Sequence, residues 1–166
     1  SYIYGRGTSM AAPVVTGSLA VIREFFTHGA GAAKISNQTP SSALLKATLI
    51  NGAFNEKLYD TNGTPQLYSP SRVSGWGRVD VRNAIVPEGK DVKFYDMQGN
   101  NGLRTGQNST PLSFYVSPTS PLKVTLVWTD YPATAGSGVH LTSIASIASR
   151  AWSMVSATTK ATASPT

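Results

Sequence analysis

The sequence predicts a chain of two characters, an α-helical first half followed by an antiparallel β second half. Three observations predict it. Residues 9–27 and 39–52 are rich in apolar residues and carry helix start and stop signals. From residue 91 the pattern changes to alternation of period two, the signature of strands. Between the two lies Val86-Pro87-Glu88-Gly89-Lys90, a charged stretch with Pro and Gly of the kind found at domain boundaries.

The first helix holds Val14, Val15, Leu19, Val21, Ile22, Phe25 and Phe26. Apolar residues on nearly every face predict a helix buried in a larger domain. Pro13 is placed in its first turn, where a missing N–H is tolerated, and His28-Gly29 at its end. A Gly/Ala-rich loop over 29–38 leads to a second helix, with Thr39 as N-cap, Pro40 at the first position and Gly52 just past the end. Asn62-Gly63 is a hairpin signal, and Pro65, Pro70 and Gly75 are breakers. Trp76, flanked by Gly75 and Gly77, predicts a packed aromatic at a close backbone approach. A short helix over about 80–85 follows, capped by Asp80.

In the second half, Val92, Phe94 and Asp96 alternate with Lys93, Tyr95 and Met97, and Leu112, Phe114 and Val116 with Ser113 and Tyr115. The strongest strand runs from Leu122 to Asp130, with Val124, Leu126 and Trp128 on one face. Gly/Asn/Pro clusters separate these runs, so the region reads as the beginning of an antiparallel β-sandwich. It ends with open edges and an exposed apolar face. After Pro132 the composition changes again, with eight Ala, seven Ser and six Thr in residues 133–166 and neither Asp nor Glu. Leu141, Ile144, Ile147/Ala148, Ala151/Trp152 and Val155 are spaced like one face of a short helix, but the segment reads as a low-complexity tail.

Composition excludes several classes of function. There are no cysteines, which removes disulfides, thiol catalysis and cysteine-ligated zinc. The net charge of +6 comes from 14 scattered Lys and Arg, with Arg78/Arg82 and Lys90/Lys93 as the densest pairs, and no basic stripe for nucleic acid forms. No continuous apolar run approaches the ~20 residues of a membrane span. The eight Asp and Glu are dispersed and nominate no metal ligands. Three N-x-[ST] sequons, at Asn37, Asn62 and Asn108, are compatible with secretion.

Chemistry concentrates in Gly7-Thr8-Ser9-Met10-Ala11-Ala12-Pro13, followed by Gly17. A serine opening a long apolar segment is either an N-cap or a nucleophile. In the second role the helix N-terminus supplies a positive field, and small neighbours leave room for a substrate backbone. Seven specified positions recur by chance about once in a billion, which outweighs the greater frequency of caps. The string is not the G-x-S-x-G elbow, since Met10 and Ala11 follow the serine. It resembles the nucleophile motif of the subtilisin-like serine proteases, the subtilases. The resemblance extends over residues 5–86, through "SSALLKATLINGA" (41–53) and "GWGRVDVRNAI" (75–85). "LKVTLVWTDYPA" (122–133) is similar to a strand of the jelly-roll domain that follows the catalytic domain in alkaline proteases of this family.

The resemblance implies an α/β fold. Residues 1–86 would be the C-terminal part of a subtilisin-like parallel-sheet catalytic domain, mostly helices here. Residues 87–133 would be an incomplete jelly-roll β-sandwich, and 134–166 the tail. It implies Ser9 as the catalytic nucleophile of a secreted endopeptidase acting on polypeptides. Family order is Asp, His, then Ser, and the eight residues before Ser9 include no Asp, His or Asn. The triad partners and the oxyanion asparagine are therefore expected upstream, and the chain by itself is expected to be inactive. His28 lies nineteen residues along the helix from Ser9, about 28 Å at ~1.5 Å per residue, and is read as a helix-end residue. His140 falls in the tail, where the resemblance has ended, and is given no catalytic role. No cofactor is required for acyl transfer, and calcium is a common stabiliser in the family. The alternative is a non-catalytic binding protein built on the β-region, with residues 1–86 a vestige.

Overall fold

Helix α1 spans Thr8–Thr27 in the computed structural model. The structure describes residues 4–5, 7–35, 39–54, 58–59, 65–67, 70–71, 74–86, 91–99, 102–103, 107–109, 111–112, 122–129 and 134–136. A 3-10 turn, Ala32–Lys34, interrupts the expected 29–38 loop, and α2 follows at Ser42–Gly52. Strands β1 (Leu58–Tyr59) and β2 (Pro65–Leu67) pair antiparallel, flanking the expected Asn62-Gly63 turn, which itself lies outside the described residues. Helix α3, Val81–Ile85, closes this part with Asp80 as its cap: the carboxylate accepts from the Asn83 N–H at 2.9 Å.

The core sits where the three helices meet. Ile22 and Phe26 of α1, Leu44 of α2 and Ala84 of α3 are buried, with Phe25, Leu45, Leu49 and Ile85 packed around them. Only the C-terminal turns of α1 enter this core. The rest of the helix is exposed, with Val14 at 66% and Val21 at 53%, and even near the C-terminal end Arg23 and Glu24 are exposed, so the expected burial on nearly every face gives way to burial of one face. Its 20 residues and mean hydropathy of 1.2 also reach the length and apolarity of a membrane-crossing helix. The sequence shows no continuous run, because Thr16, Gly17, Ser18, Arg23 and Glu24 break it. Thr16 and Ser18 satisfy their hydroxyls on the carbonyls of Ala12 and Val14, as hydroxyls on apolar helices do.

Four local expectations are corrected. Helix α1 begins at Thr8, so Pro13 lies in the second turn and has no N–H to offer the Ser9 carbonyl four residues back. Helix α2 is capped by Ser41, not Thr39, and Gly52 lies inside its last turn. The Ser41 hydroxyl accepts from the Leu44 N–H at 3.0 Å and donates to Asp96 at 2.6 Å, a partner 55 residues away that fixes the cap. Gly29 does not terminate α1 through a left-handed conformation. A Cβ there would stand 2.9 Å from the Phe25 backbone, so space is what demands glycine. Trp76 is 56% exposed, not packed. Its flanking glycines serve their own backbone, with φ of 57° at Gly75 and 105° at Gly77.

Beyond α3 the alternation is visible as burial. Val92, Phe94, Asp96 and Gln98 face inward while their neighbours are exposed. Likewise Lys123, Thr125 and Val127 face inward, and Val124, Leu126 and Trp128 outward. No ladder joins these segments among the described residues. The boundary stretch 87–90, Phe114 and Val116 of the middle run, and the tail, apart from Thr134 to Gly136, lie outside the described residues.

Both segments rest on the helices. Phe94 packs edge-to-face on Phe26, with ring centroids 4.9 Å apart at 86°, and Phe25 joins the trio. Asp96 accepts from the Ser41 N–H at 2.8 Å as well as from its hydroxyl, at the N-terminal end of α2. At the other end the Lys123 ammonium donates to the carbonyls of Ile50 (3.2 Å) and Asn51 (2.6 Å). The Asn51 amide donates back to the Lys123 carbonyl and the Thr125 hydroxyl. Asn83 of α3 donates to the Gly52 carbonyl at 2.8 Å, so the last three carbonyls of α2 are all partnered.

Candidate active site

Ser9 is the second residue of α1, and its cap is Gly7, with φ 144° and no side chain to bond the first-turn amides. The capping role weighed for Ser9 thus falls to Gly7. A serine inside the first turn carries its own N–H among those that have no intrahelical acceptor. Within that turn the Met10 N–H turns back to the Gly7 carbonyl at 3.1 Å. No acidic residue occupies the turn, so nothing there opposes the positive end of the helix dipole. The N-terminal turn of a 20-residue helix, with Thr8 and Ser9 both exposed, is a place where negative charge is stabilised.

The surroundings are open and small. Gly7, Ser9, Ala11 and Ala12 are all exposed. A Cβ on Gly7 would stand 3.6 Å from the Ser9 hydroxyl, so glycine leaves the approach to that oxygen clear. Gly5 serves Met10 in the same way: a Cβ there would come within 2.8 Å of the Met10 sulfur.

No base is brought to Ser9 among the described residues. His28 is the C-cap of α1 and pairs with Glu24 at 3.2 Å, both side chains largely exposed, at the far end of the helix. His140 lies outside the described residues. Asp80 and Asp96 are committed to the caps of α3 and α2. No group of three or more acidic or histidine side chains could hold a metal ion among the described residues. Two clefts lie elsewhere, both lined in part by Trp76. One of about 340 Å³ is lined by Lys46, Ile50, Trp76, Thr125, Leu126, Val127 and Trp128.

The geometry defines an exposed serine in the first turn of a long helix, and residues 1–77 match the model of the subtilase family. The chain is also 28% identical to the serine protease/ABC transporter B family protein tagD of Dictyostelium discoideum, over 81% of its own length. That coverage reaches beyond the first 77 residues, so the likeness continues past the residues that match the family model. The chain spans about a tenth of the length of that relative. No solved structure matches it.

Sequence reasoning did not single out Asp96, Lys123 and Asn51 as interface residues. Asp96 was legible as an inward position of an alternating run, but its partner Ser41 is 55 residues away and no local pattern links them.

Proposed function

We propose that this chain supplies the nucleophile segment and closing helices of a subtilisin-like serine endopeptidase. Ser9 attacks the scissile carbonyl of a polypeptide. Its proton passes to a histidine, oriented by an aspartate, both contributed by sequence that precedes these residues in the whole protein. The tetrahedral oxyanion is held by the Ser9 N–H at the positive end of α1, and a second donor comes from the same upstream part. The C–N bond then breaks, the histidine protonates the leaving amine, and the acylated Ser9 is released by water. No cofactor takes part in these steps. In this reading residues 1–86 end the catalytic domain, 87–133 begin a jelly-roll domain, and 134–166 are a tail. The enzyme is secreted, in keeping with the three sequons, of which Asn108 is exposed.

One observation carries the reading. The string from Gly7 to Pro13 opens a 20-residue helix whose first turn has no capping side chain and no acid, with the serine hydroxyl exposed. The exposed apolar flank of α1 suits the parallel sheet that the resemblance implies. A membrane-spanning α1 fits the length equally well but not the packing, because Ile22 and Phe26 are fully buried against α2 and α3. The test is Ser9→Ala in protein that includes the upstream part. It deletes one oxygen and is expected to lower turnover by roughly 10⁴-fold or more with an unchanged melting temperature. Retention of above a tenth of the rate removes Ser9 from the mechanism.

A further inference from the structure

Helix α2 carries no acid in its first turn and no base in its last, so its own sequence does nothing for its dipole. Both missing charges arrive from the region beyond α3. The Asp96 carboxylate sits on Ser41, at the positive end, and the Lys123 ammonium on the carbonyls of Ile50 and Asn51, at the negative end. The two ends are about 16 Å apart on an 11-residue helix, so the two contacts are independent of each other. A third contact seats the same region on the nucleophile helix, Phe94 against Phe26.

We infer that the segments 91–99 and 122–129 form an intramolecular clamp that grips α2 by both ends, charge-matched to its dipole and anchored by Phe94 on α1. The partner surface is the three-helix core itself, and the two regions unfold as one cooperative unit. The clamp accounts for an inversion in the last strand-like segment. Lys123 and Thr125 face the protein, together with Val127, because the two polar residues bond to α2, while Val124, Leu126 and Trp128 are left outward. Charge-assisted bonds at half-buried positions hold more strongly than neutral surface pairs, so removing either charge loosens the end it grips.

The clamp stands whether or not Ser9 is the nucleophile, because its test needs no activity. In the intact protein, amide hydrogen exchange along α2 is measured for Asp96→Asn and Lys123→Met. The expected result is end-specific, with exchange rising roughly tenfold in the first turn for the first variant and in the last turn for the second. Lys123→Arg keeps the charge and is expected to restore protection, and calorimetry is expected to give one transition for both regions. Were a variant too unstable to exchange locally, the number of transitions in the unaltered protein decides. Two separate transitions, or α2 protection indifferent to both charges, overturns the clamp.

Discussion

A Cβ built on Gly52 would stand 2.3 Å from the Cα of Ala84, so the crossing of α2 and α3 leaves no room for a side chain there. The obstacle is backbone and cannot swing aside. Ala84 is itself buried, and the Gly52 carbonyl holds the Asn83 amide at 2.8 Å. In an open helix Gly→Ala gains about 1 kcal/mol. Here the overlap forces α3 outward, and Gly52→Ala is expected to destabilise by about 2 kcal/mol net. A thermal melt of the intact protein reads this as a fall of several degrees, and an unchanged or raised midpoint would show that the crossing yields.

The aromatic trio gives a second expectation. Phe94 is half-buried and closes the core over Phe25 and Phe26. Phe94→Ala leaves a void against a fully buried ring and is expected to lose about 2–3 kcal/mol, while Phe94→Leu keeps most of the contact. Urea midpoints that are equal for the two variants would remove Phe94 from the core.

How far the sequence could be read depends on how far each determinant lies from its effect. Helix α3 was legible because Asp80 and Asn83 are three residues apart and the cap is settled between them. Helix α1 was legible in its extent for the same reason, since apolar composition and the His28-Gly29 ending are local. The start of α2 was not. Thr39-Pro40-Ser41 offers two good caps, and the choice of Ser41 is tied to Asp96, 55 residues away. Trp76 failed in another way, because glycine flanks report either space or positive φ, and composition does not distinguish them. For the site, the string from Gly7 to Pro13 was readable as a motif, and the openness around Ser9 follows from its small neighbours. No local pattern here points to a base for that serine, since the resemblance sets the other triad members at a distance in sequence.

His28 provides a check on the assignment of bases. It pairs with Glu24 at 3.2 Å with both side chains mostly exposed, an arrangement that contributes little. His28→Ala is expected to shift stability by less than ~0.5 kcal/mol and to leave peptidase activity of the intact protein unchanged. A large loss of turnover at unchanged stability would make His28 a participant after all.

The last expectation concerns the 166-residue chain by itself, which should hydrolyse no peptide and take no label from a fluorophosphonate probe. A serine hydroxyl is a weak nucleophile at neutral pH until a neighbouring base accepts its proton. Among the described residues the only histidine is His28, at the opposite end of a 20-residue helix, and the carboxylates of Asp80 and Asp96 are engaged at helix caps. The oxyanion would be held by the Ser9 N–H alone, and the loss of one donor typically costs about 3–4 kcal/mol of transition-state stabilisation. The positive end of α1 lowers the energy of an anion but removes no proton, so the helix dipole does not substitute for the base. Protein that includes the upstream part should label, and Ser9→Ala should abolish that labelling. Stoichiometric labelling of the isolated chain at Ser9 would mean that a base outside the described residues reaches the hydroxyl, and the reliance on upstream partners would have to be abandoned.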